Sequence, residues 1–135
     1  MANEFGRNQR DALLTLTKAL PAATATNLTD AIDLEQVGGP KPENVEIEVS
    51  VPAMPLHTTA NNTTLTLHDS ADNSTYAEVV PLHQVKVLGV VSTGSVAILT
   101  RFRLPPNVRR YIKISQTAGA TDDLTSYTMT YTPRF

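Results

Sequence analysis

Alternation of apolar and polar residues is the main pattern along this chain. Residues 45–51, VEIEVSV, place four aliphatic side chains on one face and Glu46, Glu48 and Ser50 on the other. A period of two is that of a β-strand with one face in a core. Pro52 follows directly, and it ends the strand because it has no amide hydrogen to donate inside a sheet.

Seven other segments share this character, and each is bounded by the Gly, Pro, Ser, Asn or Asp residues that form turns. Short strands at regular intervals predict an all-β protein, here a jelly-roll-like antiparallel β-sandwich of about eight strands. A Greek-key sandwich or an open barrel would give the same pattern. The predicted strands are residues 31–34, 45–51, 63–69, 75–80, 84–91, 96–104, 110–116 and 126–132.

The first 21 residues have a different pattern. Leu13, Leu16 and Leu20 are spaced by three and four residues, which is a weak helical stripe ending at Pro21. We therefore predict an N-terminal arm or short helix over residues 1–21 and the β-sandwich domain over residues 22–135. We expect the arm to lie outside the core, so that its deletion leaves the stability of the domain nearly unchanged.

Composition restricts the function classes. A chain of 135 residues fits one domain, and the absence of cysteine excludes disulfides, thiolate metal sites and cysteine nucleophiles. A formal net charge of −2 leaves no concentrated basic face for phosphates, so we expect no nucleic-acid partner. No stretch reaches the ~20 apolar residues of a membrane-spanning helix, and residues 12–25 lack the clean apolar run of a signal peptide.

The loop after the third predicted strand is rich in oxygen-bearing side chains. Asp69, Asp72 and Asn73 offer ligands that Ca²⁺ prefers, but their spacing lacks the alternation, central Gly and later Glu of a calcium loop. Asp, Asn and Ser also bond to their own backbone in turns. The sequence therefore favours a hairpin turn over a metal site.

The histidines and the acidic pairs give no reaction centre. His57, His68 and His83 have no metal-ligand spacing, and His68 is interpreted as paired with the neighbouring Asp69. The pairs Glu46 with Glu48 and Asp122 with Asp123 are interpreted as solvated charges. No nucleophile elbow or phosphate-binding loop is present. We expect neither catalysis nor a cofactor.

Four arginines are close in sequence, namely Arg101, Arg103, Arg109 and Arg110. They form either a hydrated edge that discourages aggregation or a patch that meets an acidic protein surface.

Several segments together resemble a known family. LTLHDSADNSTYAEV at residues 65–79, preceded by VEIEVSV and followed by RRYIKISQTAGATDDLTSYTMTYT at residues 109–132, resembles the capsid cement or decoration proteins of tailed bacteriophages, the group similar to the cement protein of a Bordetella phage. The resemblance covers about residues 22–132. The positions that carry it are Asp69, Ser70, Asp72, Asn73 and Tyr76, then Arg110, Tyr111, Ile112 and Lys113.

The resemblance implies a protein made in the bacterial host cytoplasm that binds the outer surface of an icosahedral phage head as a homodimer or homotrimer. There it would stabilise contacts between major capsid proteins. The alternative is a carbohydrate- or receptor-binding sandwich of a phage tail or adhesin, although Tyr76, Tyr111, Tyr127 and Tyr131 supply few aromatic rings and Trp is absent. The residues we expect at the capsid or subunit interface are Phe5, Leu13, Leu16, Leu20, Arg101, Arg103, Arg109 and Arg110.

Overall fold

The fold is described from a computed structural model. It describes residues 15–34, 45–58, 60, 62–119 and 122–134. Two of the predicted interface residues, Phe5 and Leu13, lie outside these ranges. Within the described part of the chain, no helix has the length and hydropathy needed to cross a membrane.

The described residues form ten β-strands. They are β1 (Leu16–Ala19), β2 (Thr26–Leu28), β3 (Ile32–Asp33), β4 (Glu46–Val51), β5 (Asn62–Ser70), β6 (Ala77–Glu78), β7 (Gln84–Leu88), β8 (Ile98–Arg103), β9 (Tyr111–Ala118) and β10 (Thr128–Arg134).

The strands form two antiparallel sheets, each four rows wide. The first sheet has the order β1-β10-β4-β8. In the second sheet, β9 and β5 lie side by side, β2 and β3 both pair with β9 at one edge, and β6 and β7 both pair with β5 at the other. Two four-row sheets between which the chain crosses repeatedly form a jelly roll. The predicted jelly-roll-like antiparallel β-sandwich is confirmed.

The core lies between the two sheets and consists mainly of aliphatic side chains that alternate along the central strands. Burial of this apolar surface is the principal favourable term in folding. The sheets therefore form a packed support for the loops. The contributions of the central strands include Ile47, Val49 and Val51 from β4, Leu65 and Leu67 from β5, Ile112 and Ile114 from β9, and Met129 and Tyr131 from β10.

The sandwich begins earlier than predicted. Each of the eight predicted strands overlaps a strand of the structure, but β1 and β2 were not predicted. Leu16 pairs with Tyr131 of β10, and the Leu20 side chain is 1% exposed within the core. A spacing of four residues puts two leucines on one face of a strand as well as of a helix, so Leu16 and Leu20 fit either period. Residues 16–21 thus belong to the sandwich and not to an arm before it.

The loops collect at two ends of the sandwich. We call one the upper end, where the connections β1–β2, β4–β5, β7–β8 and β9–β10 meet. There Met54 forms a β-bridge with Ser95, and the backbone N–H of Gly119 donates to the carbonyl of Asn62 at 3.1 Å. The opposite, lower end carries the connections β5–β6 and β8–β9, and the β6–β7 connection leaves the edge of the second sheet beside Leu67.

Candidate interaction surfaces

The β5–β6 loop is a turn closed by its own side chains. Asp72 Oδ1 accepts hydrogen bonds from Ser70 Oγ at 2.8 Å and from the backbone N–H groups of Ser74 at 3.0 Å and Thr75 at 3.1 Å. Chiefly because of the Thr75 bond, the pKa of Asp72 is lowered to about 2. Asn73 has a φ of 58°, a left-handed conformation that Asn tolerates. The hairpin interpretation of this loop is confirmed.

Asp69 lies on β5 beneath this loop and binds an arginine of the lower end. Its carboxylate accepts from Arg109 Nε at 2.8 Å and from the Arg109 backbone N–H at 2.9 Å, and its carbonyl accepts from Arg109 Nη2 at 2.9 Å. Asp69 is buried, and its hydrogen bonds raise the pKa of the Arg109 guanidinium. Arg109 therefore anchors the β8–β9 connection to β5.

The predicted pairing of His68 with Asp69 is wrong. The Asp69 carboxylate is bonded by Arg109, and alternation along β5 sends adjacent side chains to opposite faces of the sheet. His68 lies opposite Glu78 of β6. Burial lowers the pKa of His68, although the nearby charges of Glu78 and Asp69 act in the other direction.

Glu48 is also not the solvated charge that its position on the polar face of β4 suggested. It is buried, and its Oε2 accepts from Arg101 Nε at 3.3 Å and from Arg134 Nη1 at 2.5 Å. The two arginines come from β8 and β10, the neighbours of β4 on either side. The Glu48 carboxylate loses its hydration on burial, and its charge-assisted hydrogen bonds to the two guanidinium groups compensate for this loss.

The four predicted interface arginines do not form one patch. Arg101 and Arg103 lie on the outer face of β8, whereas Arg109 and Arg110 lie at the lower end. Arg110 binds Asp33 through Nε at 3.0 Å and Nη2 at 2.8 Å. Since Arg101, Arg109 and Arg110 all bond to carboxylates of their own chain, much of their charge is already compensated within the domain.

His57 is the most buried titratable group of the upper end. Its Nδ1 lies 3.0 Å from Asp122 Oδ2, and its Nε2 lies 3.2 Å from the Val87 carbonyl oxygen and 3.3 Å from Thr63 Oγ1. Carboxylate, imidazole and hydroxyl together have the composition of a nucleophilic set. However, His57 is fully buried and its Nε2 faces a backbone carbonyl. The cluster ties β5 and β7 to the β9–β10 connection and offers no access to a substrate.

The described residues contain no group of three or more His, Asp or Glu side chains that could hold a metal ion. Each of the four tyrosines is buried or half-buried, so none presents a fully exposed ring to a sugar. Tyr131 is buried, and the Tyr127 hydroxyl accepts from the Leu56 backbone N–H at 3.0 Å. A cation lies over each of the other two rings, with Lys113 Nζ 4.5 Å from the centre of Tyr76 and Arg110 Cζ 5.0 Å from that of Tyr111.

Exposed aliphatic side chains are the main feature of the upper end. Leu56, Val90, Val91 and Val96 are between 46% and 75% exposed, and we call these four residues the apolar tip. They lie on the β4–β5 and β7–β8 connections, which are joined by a bond from the Val90 backbone N–H to the His57 carbonyl at 3.1 Å. Exposed aliphatic side chains grouped on two joined connections are typical of a binding surface.

The β7–β8 loop is held firmly in this position. Gly94 has a φ of 71°, and a Cβ at this residue would lie 2.2 Å from the Met54 carbonyl oxygen. Its backbone N–H donates to the Val90 carbonyl at 2.8 Å, and the N–H of Ser95 donates to the Met54 carbonyl at 3.1 Å. Only glycine allows this close approach, which fixes Val91 and Val96 relative to the other loop.

The two connections that carry the apolar tip contain no formally charged residue, although Asp122 of the β9–β10 connection lies 3.0 Å from His57 at the same end. Neither residues 49–67 nor residues 87–100 contain Asp, Glu, Lys or Arg. This surface was not predicted because QVKVLGVV was expected to be one strand, whereas β7 ends at Leu88 and places Val90 and Val91 at the turn. The available signal was the loss of alternation at Gly89.

A second apolar surface lies on the β6–β7 connection, at the edge of the second sheet beside Leu67. It consists of Val80, which is 74% exposed, and Leu82, which is 55% exposed. Asn107 of the β8–β9 connection donates from Nδ2 to the Val80 carbonyl at 3.2 Å and so supports this loop. The molecule therefore presents aliphatic side chains at two separate places on one packed sandwich, its upper end and one sheet edge.

One solved structure supports the fold. No protein-family model matches the chain, and no curated protein sequence matches it. The solved structure of the PBSX exported protein XepA superposes with a TM-score of 0.50 at 18% identity, over 87% of this chain and 34% of that one. The chain thus spans about a third of the length of XepA. A structure of the disulfide-linked pili of Bacillus endospore appendages has a TM-score of 0.47 at 15% identity, over 96% of this chain and 91% of the other.

Proposed function

We propose that this protein is a structural decoration (cement) protein that binds the outer surface of an icosahedral phage head and stabilises contacts between major capsid proteins. In this role it catalyses no reaction and needs no cofactor. The observation that carries the proposal is the pair of exposed aliphatic surfaces, the apolar tip at the upper end and Val80 with Leu82 on the β6–β7 connection.

A protein that strengthens contacts between neighbours must bind at least two of them. One surface alone would coat a shell without linking its parts. Two separate surfaces on one packed sandwich allow one molecule to contact two neighbours at a fixed separation. Once one surface is bound, the other meets its partner at a high effective concentration, so contacts of modest affinity are sufficient.

The internal pairing of charges agrees with this role. The carboxylates of Asp33, Glu48 and Asp69 bond to arginines of their own domain. The exposed aliphatic surfaces then offer the larger gain on binding, because removing them from water is favourable and breaks no internal ion pair. The resemblance found in the sequence supports the specific assignment to a phage head, and the likeness to XepA supports the fold only.

The test uses expanded phage heads that lack the protein. Adding the purified chain should give saturable binding and raise the melting temperature of the shell. Val80→Asp should lower the occupancy at a given concentration, because an unpaired charge would replace an aliphatic contact. Leu28→Asp is the matched control, since Leu28 is an exposed leucine on β2 outside both surfaces.

Absence of binding, or binding that leaves the melting temperature unchanged, would contradict the proposal. A single reproducible ligand on a glycan array would instead favour the carbohydrate-binding alternative.

A further inference from the structure

We propose that the cleft between β1 and β2 binds an extended segment of another protein that carries an acidic side chain. The segment would lie along β1 as an additional strand of the first sheet, with its carboxylate beside Lys18. This cleft is separate from the apolar tip and from Val80 and Leu82, so it adds a third contact surface. Its partner need not be part of a phage head.

β1 is an edge strand whose outer side is open. Among the described residues only β10 pairs with it, and the backbone N–H of Leu20 donates to the Tyr127 carbonyl at 2.9 Å. In an antiparallel pair, alternate residues direct their backbone groups to the partner strand, and the residues between them direct theirs away. The backbone groups of Lys18 and Leu20 therefore face β10, whereas those of Thr17 and Ala19 face the open side. A row of open N–H and C=O groups is a template for another strand.

Two side chains of the second sheet confirm this direction. Asn27 Nδ2 and Gln116 Nε2 both donate to the Ala19 carbonyl oxygen, at 3.3 Å and 3.5 Å. This carbonyl therefore points away from β10 and is already occupied. An incoming strand would use the other groups of the open side, which are the N–H and C=O of Thr17 and the N–H of Ala19.

A cleft borders this open edge. Its volume is about 420 Å³, which is in the range of ligand-binding clefts. Residues 17–22 form one wall and residues 25–27 the other, and Thr125 of the β9–β10 connection also contributes. Since the two walls belong to different sheets, an incoming segment would contact both sheets of the sandwich.

Two buried oxygen atoms beside this edge lack a partner. With their nitrogens bonded to Ala19, the amides of Asn27 and Gln116 direct their oxygens away from that carbonyl, and neither oxygen accepts a hydrogen bond from the described residues. Gln116 is fully buried and lies opposite Asn27 in the pairing of β2 with β9. Buried polar atoms of native proteins are nearly always bonded. Because Asn27 lines the cleft, an N–H group of an incoming segment would supply its missing donor.

Lys18 determines the chemistry of the partner. Among the described residues that line the cleft it is the only one with a formal charge, and alternation puts it on the same face of β1 as Leu16 and Leu20. No carboxylate of the described residues forms an ion pair with it. Asp123 adjoins the cleft, but its Oδ1 already accepts from the backbone N–H of Thr125 at 3.0 Å and from its hydroxyl at 2.7 Å. An acidic side chain in the incoming segment would therefore gain a charge-assisted bond to Lys18.

The same lysine disfavours a second copy of this chain as the occupant. Two β1 strands placed edge to edge would bring Lys18 of each copy to one contact, where like charges repel. A carboxylate in the segment of a different protein replaces this repulsion by attraction. The charge thus selects an acidic strand from another protein.

The first experiment selects ligands for the full chain from a library of random seven-residue peptides. The selected peptides should share an acidic residue. Thr17→Pro should weaken their binding about tenfold or more, because proline removes the open N–H and its ring obstructs the edge, while the bonds to β10 remain. Leu99→Pro is the matched control on β8, the other edge of the same sheet, and should bind like the wild type. Leu99 also faces an open side, since Leu104 donates to Val45 across the β4–β8 pair.

The second experiment changes only the ligand. A selected peptide is synthesised with N-methyl groups on alternate residues, in two complementary series. One series directs its methyl groups to β1 and should lose binding, whereas the other directs them away and should keep it. In the wild type, NMR shifts of the Thr17 and Ala19 backbone amides on addition of the unmethylated peptide should locate the site.

The third experiment tests the charge. Lys18→Gln should weaken binding of the acidic peptide about threefold or more. It should leave unchanged the binding of the same peptide with glutamine in place of its acidic residue, because the two changes remove the same interaction.

Enrichment of no peptide by the wild type would overturn the proposal. Equal binding of both N-methylated series, or binding that survives Thr17→Pro in a folded variant, would also overturn it. Melting temperatures show whether the variants fold, and the methylated peptides decide the matter if Thr17→Pro does not. Failure here is distinguishable from failure of the proposed function, because shell binding is assigned to other surfaces and is measured separately.

Discussion

Arg109 holds Asp69 through both its side chain and its backbone, with Nε 2.8 Å from Oδ1 and the backbone nitrogen 2.9 Å from Oδ2. The two residues belong to β5 and to the connection that precedes β9, which are 40 positions apart in the chain. Because Asp69 is buried and Arg109 is partly exposed, the carboxylate depends on this arginine while the guanidinium can still be hydrated. The contact fixes the lower end of the second sheet.

Replacement of Asp69 should therefore weaken the fold. Asp69→Asn keeps the shape but removes the charge and converts one acceptor into a donor facing Arg109. We expect a loss of about 1–3 kcal/mol in the free energy of unfolding, which is the range for a buried polar group left with mismatched partners. Urea unfolding measures it. Asp30→Asn, an exposed carboxylate before β3, is the control, and an equal effect of the two changes would contradict this role of the pair.

The N-terminal strand should prove to be part of the cooperative unit. Leu20→Ala removes a side chain that is 1% exposed and should cost about 2–5 kcal/mol, as for other buried leucines. Leu28→Ala, at an exposed position of β2, should cost far less. Thermal or urea unfolding compares the two. Similar small losses would restore the original interpretation of this segment as an arm outside the core.

The His57 cluster should be structural. His57→Leu fills the cavity with an aliphatic side chain but removes the polar partner of the Val87 carbonyl and Thr63 Oγ1. We expect about 3–5 kcal/mol of destabilisation, since breaking a buried histidine–carboxylate pair leaves polar groups without their native bonds. His83→Leu, on the β6–β7 connection, should have a smaller effect. Unfolding in urea measures both, and a His57→Leu variant as stable as the wild type would refute the assignment.

Low pH should destabilise the fold in part by protonating Asp72 in the β5–β6 loop. The pKa of Asp72 is lowered to about 2 from 3.8, so the folded state binds this proton more weakly than the unfolded chain does. Ionised Asp72 thus stabilises the fold above pH 3.8, and this contribution decreases as the pH falls towards 2. Asp72→Asn should make stability less dependent on pH in this window. Melting temperatures of both proteins at a series of pH values measure it, and parallel curves would contradict the prediction.

The sequence predicted those strands and turns whose pattern is contained within a single segment of the chain. The alternation of VEIEVSV and the turn chemistry of DSADNS are local, and β4 and the β5–β6 hairpin are present as predicted. β1 was missed because the spacing of Leu16 and Leu20 fits two periods. β2 was missed because it has only three residues and forms by pairing with β9.

Contacts between strands that are distant in the chain could not be predicted from the alternation within each strand. The burial of Glu48 depends on β8 and β10 lying on either side of β4, which alternation within β4 does not encode. For the same reason, the four arginines were interpreted as one patch in the sequence. In the structure, two lie on the outer face of β8 and two lie at the lower end. The apolar tip required knowledge of where β7 ends. The roles of Phe5 and Leu13 stay predictions.

The antiparallel pairing of β1 with β10 has a mechanical consequence. The chain enters β1 and leaves β10 at the same end of the sandwich, with Leu16 opposite Tyr131. A force that pulls the two strands apart from this end loads the backbone hydrogen bonds between them one after another. Each of these bonds breaks at a small force. Resistance to tension must therefore be carried through the faces and loops of the domain, and an atomic-force experiment with handles on these two strands would record a weak peeling event before the rest of the sandwich gives way.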